Sequence, residues 1–170
     1  MIHLIGGAML LCASTALGFG AAGVLKERVR ELEGLLLSLK TMELELSGKR
    51  TPLPELIQKV KNCSRGQITQ LYLLCEEYLK ESEGTAFSDL WKKAVDKAEL
   101  HLNDREITAL YEIGNVLGRY DSKSQCDALN AIQTRLTSFL EEANEHNSRM
   151  GRVYGTLGVA TGALLMIILI

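Results

Sequence analysis

The chain has 170 residues, with 19 Lys and Arg against 21 Asp and Glu, three His, and a formal net charge of −2 at pH 7. That balance offers no basic excess for a nucleic-acid partner. Two prolines and 5% aromatic residues favour an all-α chain over a sheet protein. Every Lys, Arg, Asp and Glu lies between residues 26 and 152, so one polar domain is carried between two apolar ends.

The first predicted element is residues 1–25, a run with no Lys, Arg, Asp or Glu and a single histidine, His3. As a helix it is about 37 Å long, enough to cross a hydrocarbon core of about 30 Å with some tilt. A cleaved signal peptide carries its positive charge ahead of the apolar run. Here Lys26, Arg28 and Arg30 follow it, so a retained transmembrane helix is expected, with Ala21-Ala22-Gly23 the place where cleavage would fall.

From Val24 to Leu46 no proline intervenes. Leu32, Leu35, Leu36, Leu39, Met42 and Leu46 recur at steps of three and four residues, which is the apolar face of a helix. Glu27, Glu31 and Glu33, with Arg28 and Arg30, lie off that stripe. The membrane helix is therefore expected to continue as the first helix of the polar domain, ending at Ser47-Gly48. Thr51-Pro52-Leu53-Pro54-Glu55 opens the next helix, with Thr51 as candidate N-cap and Pro52 in the first turn; Leu53, Leu56, Ile57 and Val60 are its apolar face. A third helix runs from Ile68 to Leu79 with Ile68, Leu71, Tyr72, Cys75 and Leu79 inward.

Phe87, Leu90, Trp91, Ala94, Val95 and Ala98 mark a fourth helix, with Trp91 as core anchor. Asn103 followed three residues later by Glu106 reads as a capping box for a fifth helix through Ile107, Leu110, Tyr111, Gly114 and Leu117. Gly118 to Asp121 is a turn, and Asp121 caps a sixth helix carrying Leu129, Ile132, Leu136, Phe139, Leu140 and Ala143. No proline follows, so this helix is expected to run through Arg149 and Arg152 into a second span.

That span, Val153 to Ile170, has 18 residues without a charged side chain, or about 27 Å of helix. Gly151, Gly155, Gly158 and Gly162 share one face of it, where small residues let a second helix approach closely. The expected organisation is a transmembrane helix over 1–25, a cytoplasmic helical domain over 26–152 and a transmembrane helix over 153–170. The fold class is all-α, a compact helical bundle between two membrane helices. Orientation follows from the basic residues: Lys26, Arg28, Arg30, Arg149 and Arg152 all flank the domain side, and the far sides carry none, which places the middle in the cytoplasm.

No catalytic, cofactor or metal motif appears. His3, His101 and His146 have no His or Cys partner at helical spacing. There is no phosphate-binding loop, nucleophile elbow or dinucleotide fingerprint. Cys12, Cys63, Cys75 and Cys126 form no C-x-x-C pair and read as small apolar fillers in a reducing compartment. A Cys126–His146 nucleophile pair has no supporting motif. A membrane scaffold or adaptor fits these observations best; an extracytoplasmic scaffold with a cleaved leader and a membrane-tethered enzyme are the competing readings.

Three stretches together carry a family likeness. They are Thr51-Pro52-Leu53-Pro54-Glu55, the segment from Leu110 to Gln125 with its G-x-x-L-G-x-x-D-x-x-x-Q pattern, and Arg152 to Val159 with the Gly/Leu/Ile tail. The chain resembles the stage III sporulation protein AB family of endospore-forming bacteria over its whole length. The resemblance implies a mother-cell membrane protein in a channel-like complex between mother cell and forespore. It further implies similarity to the inner-membrane platform protein of type II secretion and type IV pilus systems. Expected partners are the cytosolic secretion-type ATPase, stage III sporulation protein AA, and the other stage III A membrane proteins. Self-association would supply the second copy of a domain that larger platform proteins carry twice. Gly114, Leu117, Gly118, Asp121 and Gln125 occupy the motif positions. Their implied role is structural, with a partner contact at Asp121 or Gln125 as the functional alternative.

Overall fold

The structure, a computed structural model, describes residues 2–49, 51–81, 84–117 and 122–169; of these, 2–19, 21, 22, 122, 151, 152, 154, 155, 157–159 and 161–169 are described by their backbone alone. All regular elements among them are helices: α1 (Ile2–Lys49), α2 (Leu53–Cys63), α3 (Gln67–Glu81), α4 (Phe87–Lys97), α5 (Asp104–Val116) and α6 (Ser122–Leu169). Each of α1 and α6 is a single helix of 48 residues. The four between them are short, and α2 packs on α3, α3 on α4 and α4 on α5.

The chain forms two compact units. One comprises Arg30–Leu140, the other Met1–Val29 with Glu141–Ile170. The second is built from the start of α1 and the end of α6, and Val24, Met150 and Val153 are exposed on it. Among the described residues no helix is long and apolar enough to cross a membrane. The spans expected over 1–25 and 153–170 fall almost wholly where only the backbone is described.

In the unit Arg30–Leu140 the apolar stripes meet. Leu32, Leu35, Leu39 and Met42 of α1, Leu56, Ile57 and Val60 of α2, and Ile68, Leu71 and Tyr72 of α3 are fully buried or within 1% of it. Residues three and four apart share a helix face, which is why the periodicity of the sequence identifies them. Leu36, Leu53, Leu79, Phe87, Ile107 and Tyr111 lie at the edges of those faces and are half-buried. Ala109, Ile113 and Val116, which periodicity alone does not single out, complete the inner face of α5.

Helix starts follow local chemistry, with one correction. Asn103 Oδ1 accepts from the Glu106 N–H at 3.0 Å while Glu106 Oε2 accepts from the Asn103 N–H at 2.8 Å, so the capping box is complete. Thr51, by contrast, does not cap α2. Pro52 holds the N-cap position and its carbonyl accepts the Leu56 N–H at 2.9 Å. The Thr51 hydroxyl donates instead to Glu45 Oε2 at 2.9 Å. A hydrogen bond to a carboxylate is stronger than one made as a neutral cap, and Lys59 holds that carboxylate in place from α2 at 2.8 Å.

Between α4 and α5 the chain reverses through Glu99, a non-glycine residue with φ of +49°. That left-handed conformation ends α4 just past its C-cap, Ala98, and directs His101 back onto α1.

Candidate functional site

Contacts to α1 define the middle of the bundle. An added Cβ on Gly34 would lie 3.0 Å from Ile68 Cγ1. One turn further along, Ser38 accepts a hydrogen bond from the Tyr72 hydroxyl at 2.7 Å and donates its own to the Leu35 carbonyl at 2.7 Å. Two small residues four apart on α1 thus receive two large residues four apart on α3. Burial pushes the Tyr72 hydroxyl well above its ordinary pKa, with the Ser38 bond acting the other way.

Glu31 was expected off the apolar stripe, yet it is only 4% exposed. Its Oε2 accepts the His101 backbone N–H at 2.7 Å and its Oε1 lies 2.8 Å from His101 Nδ1. The α4–α5 connection satisfies the carboxylate that α1 buries. Glu43 does the equivalent for α6: it accepts from Asn130 Nδ2 at 3.0 Å and Gln133 Nε2 at 3.2 Å.

On α2 and α3 the cations are matched. Lys59 lies 2.8 Å from Glu45 and 3.0 Å from Glu55, Lys61 lies 2.5 Å from Glu76, and Lys80 lies 2.7 Å from Glu76. The hydrogen bonds from Lys59 and then Thr51 hold the Glu45 carboxyl below its ordinary pKa. Those from Lys61 and then Lys80 do the same for Glu76. A shallow groove of about 320 Å³ lies beside these pairs, lined by Pro54, Glu55, Gln58, Glu76, Leu79 and Lys80.

The outer face of α4 is different. The Lys93 ammonium sits 4.4 Å from the centre of the Tyr78 ring of α3, and the Lys92 ammonium 5.4 Å from that of Tyr111 of α5. The Tyr111 hydroxyl donates to Asp96 of α4, which raises its pKa. The sequence shows the exposed spacing of these lysines but not the rings beneath them, because the rings come from neighbouring helices.

Of the motif residues, Gly114 and Leu117 are buried and Gln125 is 8% exposed. An added Cβ on Gly114 would fall 2.7 Å from Trp91 Cδ1 and 2.9 Å from its Cβ and Cγ. Trp91 is fully buried and its Nε1–H donates to the Leu110 carbonyl at 2.7 Å. The glycine therefore makes the space for the tryptophan, and α5 supplies the tryptophan's acceptor one turn away. Leu117 caps α5, its N–H bonded to the Ile113 carbonyl at 3.0 Å. Gly118 and Asp121 lie outside the described residues. Gly151, Gly155, Gly158 and Gly162 belong to the helical backbone of α6, and their surroundings are outside what is described.

Among the described residues, the two cysteines that pack into the bundle, Cys75 and Cys126, are not activated as nucleophiles. Burial pushes the Cys75 thiol up to about 12. The Cys126 thiol is raised by burial, then by the nearby Glu43 and Asp127 charges, and its Sγ faces the Glu43 carbonyl at 3.9 Å. A reactive cysteine needs the opposite environment. Among the described residues no group of three His, Cys, Asp or Glu side chains is placed to hold a metal ion.

Residues 3–170 match the family Stage III sporulation protein AB. The chain belongs to that family. It is 26% identical over 172 residues to the stage III sporulation protein AB of Bacillus subtilis (strain 168), covering 99% of both chains. A solved structure of a stage III sporulation protein AB matches its fold with a TM-score of 0.64 at 24% identity, over 71% of this chain and 96% of that one. The family places the chain among sporulation proteins, and both the solved relative and this structure give it a helical bundle.

Proposed function

We propose that this chain is a non-enzymatic platform protein of the mother-cell membrane that faces the forespore. It has two spans and a cytoplasmic bundle, and it couples a cytosolic secretion-type ATPase to the stage III apparatus. The observation that carries this reading is continuity. Each of the two long helices is unbroken from an apolar chain end into the bundle. A helix bonds its backbone internally, so it is suited to cross the membrane, and neither helix is interrupted by a proline or loop where the apolar run gives way to the polar domain. The basic residues at 26, 28, 30, 149 and 152 support a cytoplasmic bundle.

The proposed ATPase is stage III sporulation protein AA, with the other stage III A membrane proteins as neighbours. Self-association through the glycine face at 151, 155, 158 and 162 supplies a second copy of the domain. Photo-crosslinking in sporulating cells, with the probe at Lys80, Lys97 or Lys123, tests the reading. Capture of the ATPase is expected. Capture of extracytoplasmic proteins alone would overturn the orientation and leave a scaffold between the membranes.

A further inference from the structure

We propose that the outer face of α4, with Lys92, Lys93 and Lys97 framed by Tyr78 and Tyr111, is the docking surface for an acidic helix of a protein partner. The proposal rests on the platform reading and gives the ATPase contact its chemistry.

Charge is the first argument. Lys49, Lys59, Lys61 and Lys80 each lie within 3.7 Å of a carboxylate. Among the described residues no carboxylate comes within 4.0 Å of Lys92, Lys93 or Lys97, as is also true of the isolated Lys40 and Lys123, but only α4 gathers three such lysines within six positions. All three are exposed, and their spacing puts them on one side of α4. Two carboxylates share that side, Asp89 and Asp96. Asp96 accepts the Tyr111 hydroxyl, which fixes its position without cancelling its charge, so that side of α4 carries three ammonium groups against two carboxylates.

Preorganisation is the second. A ring under an ammonium attracts it through the negative π face but does not cancel its charge. Tyr78 and Tyr111 therefore hold Lys93 and Lys92 in place, at 4.4 and 5.4 Å, while leaving them able to bond outward. Lysine normally loses much rotamer freedom on binding, and a lysine already held loses less. Tyrosines beside cations, on a surface drawn from three packed helices, also match the composition of protein interfaces more than that of a plain solvated face. The chemistry that fits is a helix with Asp or Glu at steps of three and four, so that two of its carboxylates meet Lys93 and Lys97, which are four apart on one row, while a third reaches Lys92 beside them.

The test uses the full chain reconstituted into phosphatidylcholine nanodiscs and titrated with the purified ATPase. The charge-reversed variant K92E/K93E/K97E is expected to bind at least about tenfold more weakly, because like charges then face each other. The variant K92R/K93R/K97R keeps charge and ring contact and is expected to stay within about twofold. K40E/R65E, reversed elsewhere on the surface, is expected to behave as the wild type. A photo-crosslinker at position 93 should be captured next to Asp or Glu residues of the ATPase, which reads the surface even if the reversed variant fails to fold. Wild-type binding that K92E/K93E/K97E leaves unchanged, or an equal loss in K40E/R65E, overturns the proposal and leaves the platform reading standing. No ATPase binding by the wild type overturns both. Capture of added phosphatidylglycerol vesicles through these lysines, in place of the ATPase, would assign the face to lipid and overturn the proposal.

Discussion

The inner faces of α1 and α4 solve the same packing problem differently. Beyond Arg30, α1 buries Leu32, Leu35, Leu39 and Met42, but also the polar Glu31 and Ser38. The inner face of α4 buries Leu90, Trp91, Ala94 and Val95, and the indole N–H is its one buried side-chain polar group. Fit holds α4: one large ring against one glycine. On α1, fit is joined by specific polar bridges, Glu31 to His101 and Ser38 to Tyr72. Apolar contact fixes that helices pack, whereas a buried hydrogen bond penalises every register but one, since any slip leaves a polar group unpaired.

The comparison breaks most sharply at Trp91. Trp91→Ala is expected to cost about 3–5 kcal/mol, as large-to-small changes in a packed core do. Gly114→Val attacks the same contact by overpacking and is expected to cost about 1–3 kcal/mol or more. Both are read by chemical denaturation of the detergent-solubilised full chain. A Gly114→Val protein as stable as the wild type would mean that Trp91 can move aside.

On α1 the largest effect should come from Glu31→Ala, which strips the acceptor from the His101 N–H and is expected to cost about 1.5–3 kcal/mol. Amide hydrogen exchange should show the protection of the His101 N–H falling with it. Next come the partners Ser38 and Tyr72. Ser38→Ala strands a fully buried hydroxyl and should cost about 1–3 kcal/mol, while Tyr72→Phe leaves Ser38 bonded to Leu35 and should cost about 1 kcal/mol. In a double-mutant cycle the pair should cost less than the sum of the two. Additive losses would show that the bond contributes nothing of its own.

Acid should then loosen the packing of α2. Glu45 and Glu76 have pKa values lowered from the ordinary 4.5 by their lysine hydrogen bonds. A lowered carboxyl pKa contributes stability that is fully present above its unfolded value and lost as pH falls through its folded one. A modest acid-limb loss is expected below about pH 4.5, flattened in a Glu45→Gln, Glu76→Gln variant. The smallest effect should be a gain. Glu99→Gly relieves a φ of +49° and should stabilise the chain by up to about 1 kcal/mol, visible as a small rise in thermal midpoint.

This contrast also explains what the sequence made legible. The apolar stripe of α4, the Trp91 anchor and the Asn103/Glu106 box depend on residues within one helix or one turn, and all could be read from spacing. Glu31 looked like a surface acid because its justification, His101, is 70 residues away. Thr51 looked like a cap because its actual acceptor, Glu45, belongs to the preceding helix. The ring contacts of Lys92 and Lys93 likewise depend on how α3, α4 and α5 pack. The partner-contact role of Asp121 and the glycine face of the last helix stand on sequence, since their surroundings lie outside the described residues.

The proposed topology can be tested most directly with a native thiol. Cys63, at the end of α2, is exposed, whereas Cys75 is buried. A variant with Cys63 as its sole cysteine, made by replacing Cys12, Cys75 and Cys126, would be treated with a membrane-impermeant maleimide in intact cells and again after permeabilisation. The account predicts labelling of Cys63 only after permeabilisation. Labelling in intact cells would put the bundle outside the cytoplasm and contradict the platform reading.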